Sequence, residues 1–401
     1  MKKPIIIFCF LFVCILRIFP QEVISERLDA YGYYYSGLYS ESVKVFKQIE
    51  SGSKSLDPND RLILGISEFK TGNFGDALNN FQTSEASGIA LANLWIAKIN
   101  AVNKNTKDAL LYIERYLNTS KSPDLEMVKK DSLFKYFQDT KQWFDLMQND
   151  WSSENQNIIK DAEYYAHNND FGKAHKIIET RILKTDNKNE LYAYNSLIYN
   201  LEGNPRMALD AIDQALISDP ENNTYLKRKA GYLQQLENYS SAITELNNVI
   251  EKNPVDFDAR FARARAELLD GKNDLARKDI NIYVKYFNSE DALFLAGQIY
   301  YASEKYTDAL KYYNRLMQNS KPDSRYFKAR GMTYYQSGTY KQAAYDLSMS
   351  LDLIPGDPET NLYKGLAEYY KGNNSSACYY WKRAHDFGEL KALEYIQKYC
   401  K

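Results

Sequence analysis

The chain has 401 residues, of which 44% are hydrophobic, 14% aromatic and 26% charged, and its formal net charge is −1. This composition excludes a chain that is disordered throughout, and the balance of 51 basic and 52 acidic residues argues against a nucleic-acid partner. Four cysteines and three histidines are too few for a disulfide-based scaffold, and they leave little material for a metal site.

The first 21 residues have the pattern of an export signal. Lys2 and Lys3 precede an almost continuous apolar stretch that runs to Phe19 and contains one charged residue, Arg17. Such a stretch is short for a transmembrane helix and typical of a signal peptide. An uncleaved N-terminal anchor is the alternative, because the residues after Phe19 are not the small ones that a signal peptidase prefers. We expect an exported protein, periplasmic or envelope-associated, that contacts a membrane only through this segment if it stays uncleaved.

From residue 203 onward the sequence repeats with a period of about 34 residues. A turn residue recurs at Gly203, Glu237, Gly271, Glu304, Gly338 and Gly372. Five residues after each turn comes an alanine: Ala208, Ala242, Ala276, Ala309, Ala343 and Ala377. Four residues further on is a large apolar residue: Ile212, Leu246, Ile280, Tyr313, Leu347 and Trp381. Seven residues before each turn is a small residue: Ser196, Ala230, Ala264, Gly297, Gly331 and Gly365.

These positions predict a stack of helical hairpins. Each unit holds two stretches of about 12 residues with apolar positions at helical spacing. The small residue and the alanine allow the two helices of a unit to approach closely, and the large residue is expected to fill the space between units. One hairpin cannot bury its apolar face alone, so the units must stack. The same pattern, more weakly, places turns at Gly37, Gly72, Lys104 and Asn169.

The pattern resembles the tetratricopeptide repeat, most clearly where Tyr363 to Asn373 is followed by Ala377 and Trp381. The resemblance covers nearly all of the chain after the first 21 residues and includes ten recognisable repeats. It implies an all-α fold, a right-handed superhelical solenoid of stacked helix-turn-helix repeats. The last residues, from Glu389, read as a further helix that caps the open end of the stack.

We divide the chain accordingly into five parts. They are the export signal or anchor (1–21), N-terminal repeats (22–120), a degenerate repeat or hinge (121–151), a C-terminal array of repeats (152–388) and a capping helix (389–401). In the third part Trp143 occupies the alanine position and Asp131 the small-residue position. Two interpretations stay open for it: a hinge between two solenoid segments, and an eroded repeat that still stacks.

Motifs that carry enzymatic chemistry are missing from the sequence. It has no glycine-rich phosphate loop before a lysine, no His-Glu-x-x-His motif and no nucleophile elbow. His167 and His175 fall on separate helices, and His385 stands alone. We therefore expect no catalytic residues, no metal and no cofactor, and a protein that is not an enzyme.

The resemblance implies that the first helices of the units form a concave binding surface. Across 190–387 this surface is expected to carry Lys227, Gln234, Arg265, Phe294, Gln298, Tyr301, Lys328, Tyr335, Leu366, Tyr369 and Tyr370. Eight of them are our candidate partner-binding residues: Lys227, Arg265, Gln298, Tyr301, Lys328, Tyr335, Tyr369 and Tyr370. Tyrosine and arginine often anchor interfaces, and basic groups can meet carboxylates of a ligand.

The sequence thus predicts a non-enzymatic scaffold that binds a protein or peptide on its concave face. The alternative is a structural subunit of a cell-envelope assembly or secretion machine. Some tetratricopeptide repeats hold a C-terminal carboxylate with a lysine followed by an asparagine. Here Gly231 follows Lys227 and Met332 follows Lys328 at that asparagine position, so this clamp is not expected.

Two cysteines, Cys378 and Cys400, lie after the export signal. An antiparallel pair formed by the last helix of the array and the capping helix brings them to about the same level. A disulfide between them is one interpretation, since export exposes them to an oxidising compartment. The other interpretation is that the two cysteines stay reduced and act as small buried apolar groups.

Overall fold

The computed structural model describes residues 21–52, 55–120 and 123–400. The expected export signal therefore lies, apart from Gln21, outside the described residues. Every regular element in the described part is a helix, and consecutive helices pack against one another as pairs. The prediction of an all-α fold of stacked helix pairs is confirmed. The chain divides into two compact units, with the boundary between Asn149 and Asp150.

Among the residues of the first unit that the structure describes, there are three regular helix pairs and one irregular one. The regular pairs are α1 (Gln21–Tyr35) with α2 (Tyr39–Ser51), α3 (Pro58–Lys70) with α4 (Phe74–Ala86), and α5 (Ala90–Val102) with α6 (Thr106–Thr119). The irregular one consists of α7 (Leu125–Lys130), a 3-10 helix (Ser132–Phe137) and α8 (Lys141–Gln148).

The second unit contains seven pairs and a final short helix in its described residues. The pairs are α9 (Glu154–His167) with α10 (Phe171–Ile182), α11 (Asn189–Leu201) with α12 (Pro205–Ser218), α13 (Asn223–Gln235) with α14 (Tyr239–Lys252), α15 (Phe257–Leu269) with α16 (Asn273–Val284), α17 (Glu290–Ala302) with α18 (Tyr306–Asn319), α19 (Ser324–Gln336) with α20 (Tyr340–Leu353), and α21 (Pro358–Tyr370) with α22 (Asn374–Asp386). The short helix is α23 (Ala392–Tyr399). None of the described helices is long and apolar enough to span a membrane.

The turn inside each regular pair uses one residue in the left-handed region. All ten turn positions predicted from the sequence have a positive φ, including the non-glycine residues Lys104, Asn169, Glu237 and Glu304, whose φ is 58–59°. This conformation ends the first helix and directs the chain into the second within about three residues. The register of the repeats read from the sequence is therefore confirmed.

The core of each pair is built around the predicted alanine and large apolar residue. The alanines at these positions, from Ala77 to Ala377, are fully buried, and so are the large residues, among them Phe81 and Trp381. A Cβ atom at Gly65 would lie 2.7 Å from the ring of Phe81. The large residue thus packs against the small residue of its own pair. It also reaches the next pair, where Phe81 stacks on Trp95. Our expectation that the large residue fills the space between units omitted its contact with its own pair.

Charged side chains join the two helices within pairs of the second unit at a regular spacing. Arg263 of α15 binds both carboxylate oxygens of Asp279 on α16, and Arg330 of α19 does the same with Asp346 on α20. Both ion pairs span 16 residues, the separation that also joins the small residue to the large one. Because Asp279 and Asp346 are buried, each carboxylate depends on its arginine partners, which for Asp279 also include Arg260.

The segment around α7 and α8 packs within the first unit. Lys98 of α5 forms a 2.8 Å ion pair with Asp131, and the rings of Phe137 and Trp143 lie 5.5 Å apart in edge-on contact. Trp143 is buried, although it occupies a position that holds alanine in the regular pairs. These contacts favour the interpretation of an eroded repeat that still stacks. That the segment acts as a hinge stays a prediction.

Candidate functional site

A cleft of about 490 Å³ opens on the face that the first helices of three consecutive pairs form, α15, α17 and α19. We call it the first-helix cleft. Its volume lies in the range of pockets that hold a small ligand or a few side chains. Its lining residues are Leu268, Phe294, Gln298, Tyr301, Tyr313, Arg325, Lys328, Ala329 and Met332.

The floor of the first-helix cleft depends on Gly297. A Cβ atom at this position would collide with the ring of Tyr313, so glycine lets that ring of α18 pack against the backbone of α17. Phe294, one turn earlier on α17, packs at 6.1 Å from the Tyr313 ring and 5.1 Å from the Tyr326 ring. This aromatic base fixes the position of Phe294, which lines the cleft together with Met332. The surface of the cleft is mostly apolar.

Polar groups are few in the first-helix cleft. Gln298 presents an amide, which can donate and accept a hydrogen bond at once. Tyr301 lies at one edge, where its hydroxyl interacts with Gln336 and Tyr363. Burial raises the pKa of Tyr301, so the phenol stays protonated and can donate.

The two cations of the cleft are already paired. Lys328 Nζ lies 2.8 Å from Glu359 and 3.1 Å from Asp357, and Arg325 lies 2.7 Å from Asp323. Burial lowers the pKa of Lys328, but the hydrogen bonds to Glu359 and Asp357 outweigh it and the net shift is upward. Neither cation of the cleft therefore has an unpaired charge. Our expectation that Lys328 is available to a carboxylate of a ligand needs correction.

Lys227, on α13 nearer the middle of the array, forms the same kind of contact. Its Nζ lies 2.8 Å from Asp256, which caps the N-terminus of α15, just as Asp357 caps that of α21. Both lysines reach 29 residues along the chain to the first helix of the next pair. Lys227 is therefore a link between pairs, and it does not line the first-helix cleft. Arg265 is exposed and lies over the ring of Phe261 at 5.1 Å.

Three further candidates, Tyr335, Tyr369 and Tyr370, do not line the cleft and belong to an aromatic cluster nearer the end of the array. Tyr335 packs against Tyr340, Tyr363 and Tyr370. Tyr370 is 54% exposed and stacks on Tyr340 with ring centroids 4.7 Å apart. It is the member of this cluster that a partner can reach most easily.

Tyr369 and Leu366 do not form the open surface that we expected. Tyr369 lies between Trp381 and Tyr399, with its ring 4.6 Å from that of Tyr399 on α23. Leu366 is buried in the same core. Helix α23 covers this end of the first-helix face. The continuous surface expected over 190–387 is thus interrupted here, because α23 and the aromatic residues beneath it occupy the position that a ligand would take.

Sequence reasoning missed Leu268, Arg325, Ala329 and Met332 as lining residues. The repeat register contains the signal for two of them, because Leu268 is equivalent to Tyr301 and Tyr335, and Met332 is equivalent to Gln298. Arg325 and Ala329 precede Met332 on α19 at helical spacing and share its face. Tyr313 was assigned to the core, and it is both buried and part of the cleft floor.

A second cleft, of about 450 Å³, lies between α10 and α12, with α11 as its floor. Met207 and Leu183 are exposed at its edges, and Glu179 and Asp210 make it more polar than the first-helix cleft. Near its floor, the His175 ring stacks on Tyr199 at 4.0 Å, and His175 Nδ1 lies 2.6 Å from Asn195 Oδ1. Among the described residues, no group of three or more His, Cys, Asp or Glu side chains is placed to hold a metal ion.

The structure joins Cys378 and Cys400 in a disulfide, with the two Cα atoms 5.6 Å apart. Cys378 lies on α22 and Cys400 follows the last residue of α23. The sequence left two interpretations open for these cysteines, and the structure agrees with the disulfide.

The repeats are similar to those of known proteins. The family model for the tetratricopeptide repeat matches residues 64–125, 228–292 and 294–358. A TPR repeat-containing protein of Methanocaldococcus jannaschii is 25% identical over 360 residues, which are 86% of this chain and 60% of that protein. The chain thus spans about three fifths of the length of this curated relative.

The chain is also similar to solved structures of tetratricopeptide repeat proteins. A tetratricopeptide repeat protein from Parabacteroides merdae is 17% identical, covers 60% of this chain and 95% of its own, and has a TM-score of 0.48. The C-terminal part of a TPR repeat-containing protein from Cytophaga hutchinsonii is 15% identical, covers 59% of this chain and 98% of its own, and has a TM-score of 0.46.

Proposed function

Because the chain is built from tetratricopeptide repeats, a fold that mediates protein–protein interaction, we propose that it is a non-enzymatic scaffold that binds a peptide segment of a partner protein in the first-helix cleft. The observation that carries this proposal is the cleft itself. It has apolar walls, a rigid aromatic floor and an amide group, and it lies on the face that the first helices form.

The lining of the cleft defines what the partner segment presents. Phe294, Met332 and Leu268 offer apolar area, so the segment inserts a large apolar side chain between α17 and α19. Gln298 then hydrogen-bonds to the peptide backbone beside that side chain. A volume of about 490 Å³ accommodates one or two side chains, so the rest of the segment lies along the surface.

Charge contributes little to this recognition. The cations Lys328 and Arg325 already have carboxylate partners within the protein, so the rim offers a ligand no unpaired charge from either side chain. Apolar burial therefore provides most of the binding free energy, with an affinity that depends weakly on salt.

Selection of a random peptide library displayed on phage, with the purified protein as bait, tests the proposal. Peptides that survive are measured for binding to the wild-type protein and to two variants, Met332→Lys and Met207→Lys. Met332→Lys places a charge in the first-helix cleft, whereas Met207→Lys makes the same change in the cleft between α10 and α12. We expect Met332→Lys to weaken binding at least about tenfold and Met207→Lys to leave it unchanged. The absence of enriched peptides, or equal binding to all three proteins, contradicts the proposal.

Residues 1–21 and the disulfide support a further part of the proposal, that the scaffold works outside the cytoplasm. Intact-mass measurement of the protein from its native cell tests it. We expect an N-terminus between Gln21 and Ser25. A mass that retains Met1, in a protein found in the membrane fraction, supports the uncleaved anchor, and retention in the cytoplasmic fraction contradicts export.

A second candidate function is a structural subunit of a cell-envelope assembly. The cleft between α10 and α12 favours it, because a subunit held between two partners needs two binding surfaces. In that case Met207→Lys is expected to release one partner of a stable complex isolated from the envelope, and Met332→Lys the other.

A further inference from the structure

Helix α23 is a small element held on one side only. It has eight residues, from Ala392 to Tyr399, and Ala392 is the only one of them that is buried. Its contacts are with the last pair of the array: Tyr395 stacks on Trp381 at 5.1 Å, and Tyr399 packs on Tyr369 at 4.6 Å. Because an isolated helix of this length is not stable in water, α23 is helical only while it is held against α22.

The disulfide is the covalent part of that attachment. It closes a loop of 22 residues that contains the turn at Gly388, where φ is 101°. The α23 segment is therefore tied at both ends, by the turn at Gly388 before its first residue and by Cys400 after its last. Cys378 and Cys400 are both only partly buried, and reduction requires that a thiolate reach one of their sulfur atoms.

We propose that the Cys378–Cys400 disulfide is a redox latch that keeps α23 closed over the aromatic face of α21 and α22. A protein dithiol of the thioredoxin type is the reductant. One of its thiolates attacks a sulfur atom of the disulfide to form a mixed disulfide, and its second thiol then releases the other cysteine. Two electrons and two protons pass to the latch, which becomes two thiols, and the reductant becomes a disulfide.

Release of the latch changes the surface of the protein. With α23 detached, the rings of Trp381 and Tyr369 lose the cover that Tyr395 and Tyr399 provide. Trp381 is fully buried in the closed form, so the change uncovers a large apolar face at this end of the array. None of these residues lines the first-helix cleft, and the latch does not depend on the proposed peptide binding.

Hydrogen exchange followed by mass spectrometry on the full chain tests the latch. Exchange is compared for the oxidised protein, the protein reduced with dithiothreitol, and the variant Cys400→Ser. Alkylation mapping reports the redox state of Cys378 and Cys400 in each sample. Dithiothreitol added to Cys400→Ser is the control, because this variant has no latch to reduce.

The expected result is local. Amides of 392–400 exchange about 300-fold faster after reduction, the factor that corresponds to opening a loop of this size, while those of α15 to α19 keep their rates. Cys400→Ser behaves like the reduced protein and does not respond to dithiothreitol. Unchanged exchange of α23 after verified reduction contradicts the proposal, because packing alone then holds the helix. Faster exchange throughout α9 to α22 contradicts it as well, since the disulfide then stabilises the whole second unit.

Discussion

Gly365 of α21 faces the indole ring of Trp381 on α22, and a Cβ atom at position 365 would overlap the ring. Trp381 is fully buried, so it has no free space into which it can move. The same relationship joins Gly297 to Tyr313 and Gly331 to Leu347. The size of the large residue on the second helix is therefore matched by the absence of a side chain on the first.

This match predicts opposite effects for two chemically identical substitutions. Gly365→Ala forces Trp381 out of its position and is expected to reduce the free energy of unfolding by about 1–3 kcal/mol. Gly231→Ala in α13 meets no atom within 4 Å and is expected to increase it by about 0.5–1 kcal/mol, because alanine is the better helix former. Urea denaturation followed by circular dichroism measures both. Similar effects of the two variants would show that the packing argument is wrong.

The left-handed turn residues predict a second pair of opposite effects. Glu304 has a φ of 58° between α17 and α18, a conformation that costs most residues about 1–2 kcal/mol. We expect Glu304→Gly to raise the urea midpoint by an amount equivalent to about 0.5–1 kcal/mol, after the entropy cost of glycine is subtracted. Gly338→Ala, at the equivalent turn with a φ of 75°, is expected to lower it by a similar amount. A lower midpoint for Glu304→Gly would refute the prediction.

Glu267 makes the second unit sensitive to pH near neutrality. Burial and the nearby charge of Asp279 raise the pKa of Glu267 to about 7, although Arg263 lies 3.9 Å away. The folded state therefore binds a proton more tightly than the unfolded state, in which the pKa has its ordinary value of 4.5. This carboxyl group accordingly lowers stability as pH rises from about 4.5 to 7, and the loss is complete above that range.

The variant Glu267→Gln removes this charge and tests the effect. We expect it to be more stable than the wild type by about 1–2 kcal/mol at pH 8, with the difference disappearing near pH 4.5. Thermal unfolding across this pH range provides the measurement. A variant less stable than the wild type at pH 8 would mean that the ionised carboxylate is needed by Arg263.

Glu368 has the opposite dependence on pH. Burial favours its neutral form, but hydrogen bonds from Asn373, Lys364 and Lys371 outweigh burial and lower its pKa to about 2. The stabilisation is complete above the ordinary pKa of 4.5 and is lost as pH falls toward 2. We expect Glu368→Gln to cost about 1–3 kcal/mol at pH 7 and progressively less below pH 4.5. Equal costs at pH 7 and pH 3 in thermal unfolding would contradict this assignment.

How far the sequence predicts this molecule depends on the range of the interaction. Turn geometry acts within one repeat, so the 34-residue period was enough to place the turns. The packing of Gly297 on Tyr313 also lies within one repeat, but we had assigned the large residue to the space between units. The pairing of Lys328 with Asp357 and Glu359 acts between repeats. It becomes visible only when the first helices of neighbouring pairs are placed side by side, which is why we expected a free cation in the cleft.

The interrupted surface at the end of the array has a similar cause. Tyr369 is equivalent in register to Tyr301 and Tyr335, and nothing in its own repeat distinguishes it from them. Its environment is set by Tyr399 of α23, which follows the last repeat and has no counterpart inside the array. The 34-residue period therefore contains no information about α23.

The central claim, that a peptide binds in the first-helix cleft, is tested most directly by nuclear magnetic resonance of the protein labelled with carbon-13 in its methionine methyl groups. Met332 lines the first-helix cleft, Met207 lines the cleft between α10 and α12, and Met127 belongs to the first unit. Titration with a peptide selected from the random library is expected to shift the Met332 signal and to leave those of Met207 and Met127 in place, at low and at high salt. A Met332 signal that does not move while the peptide is bound would contradict the account.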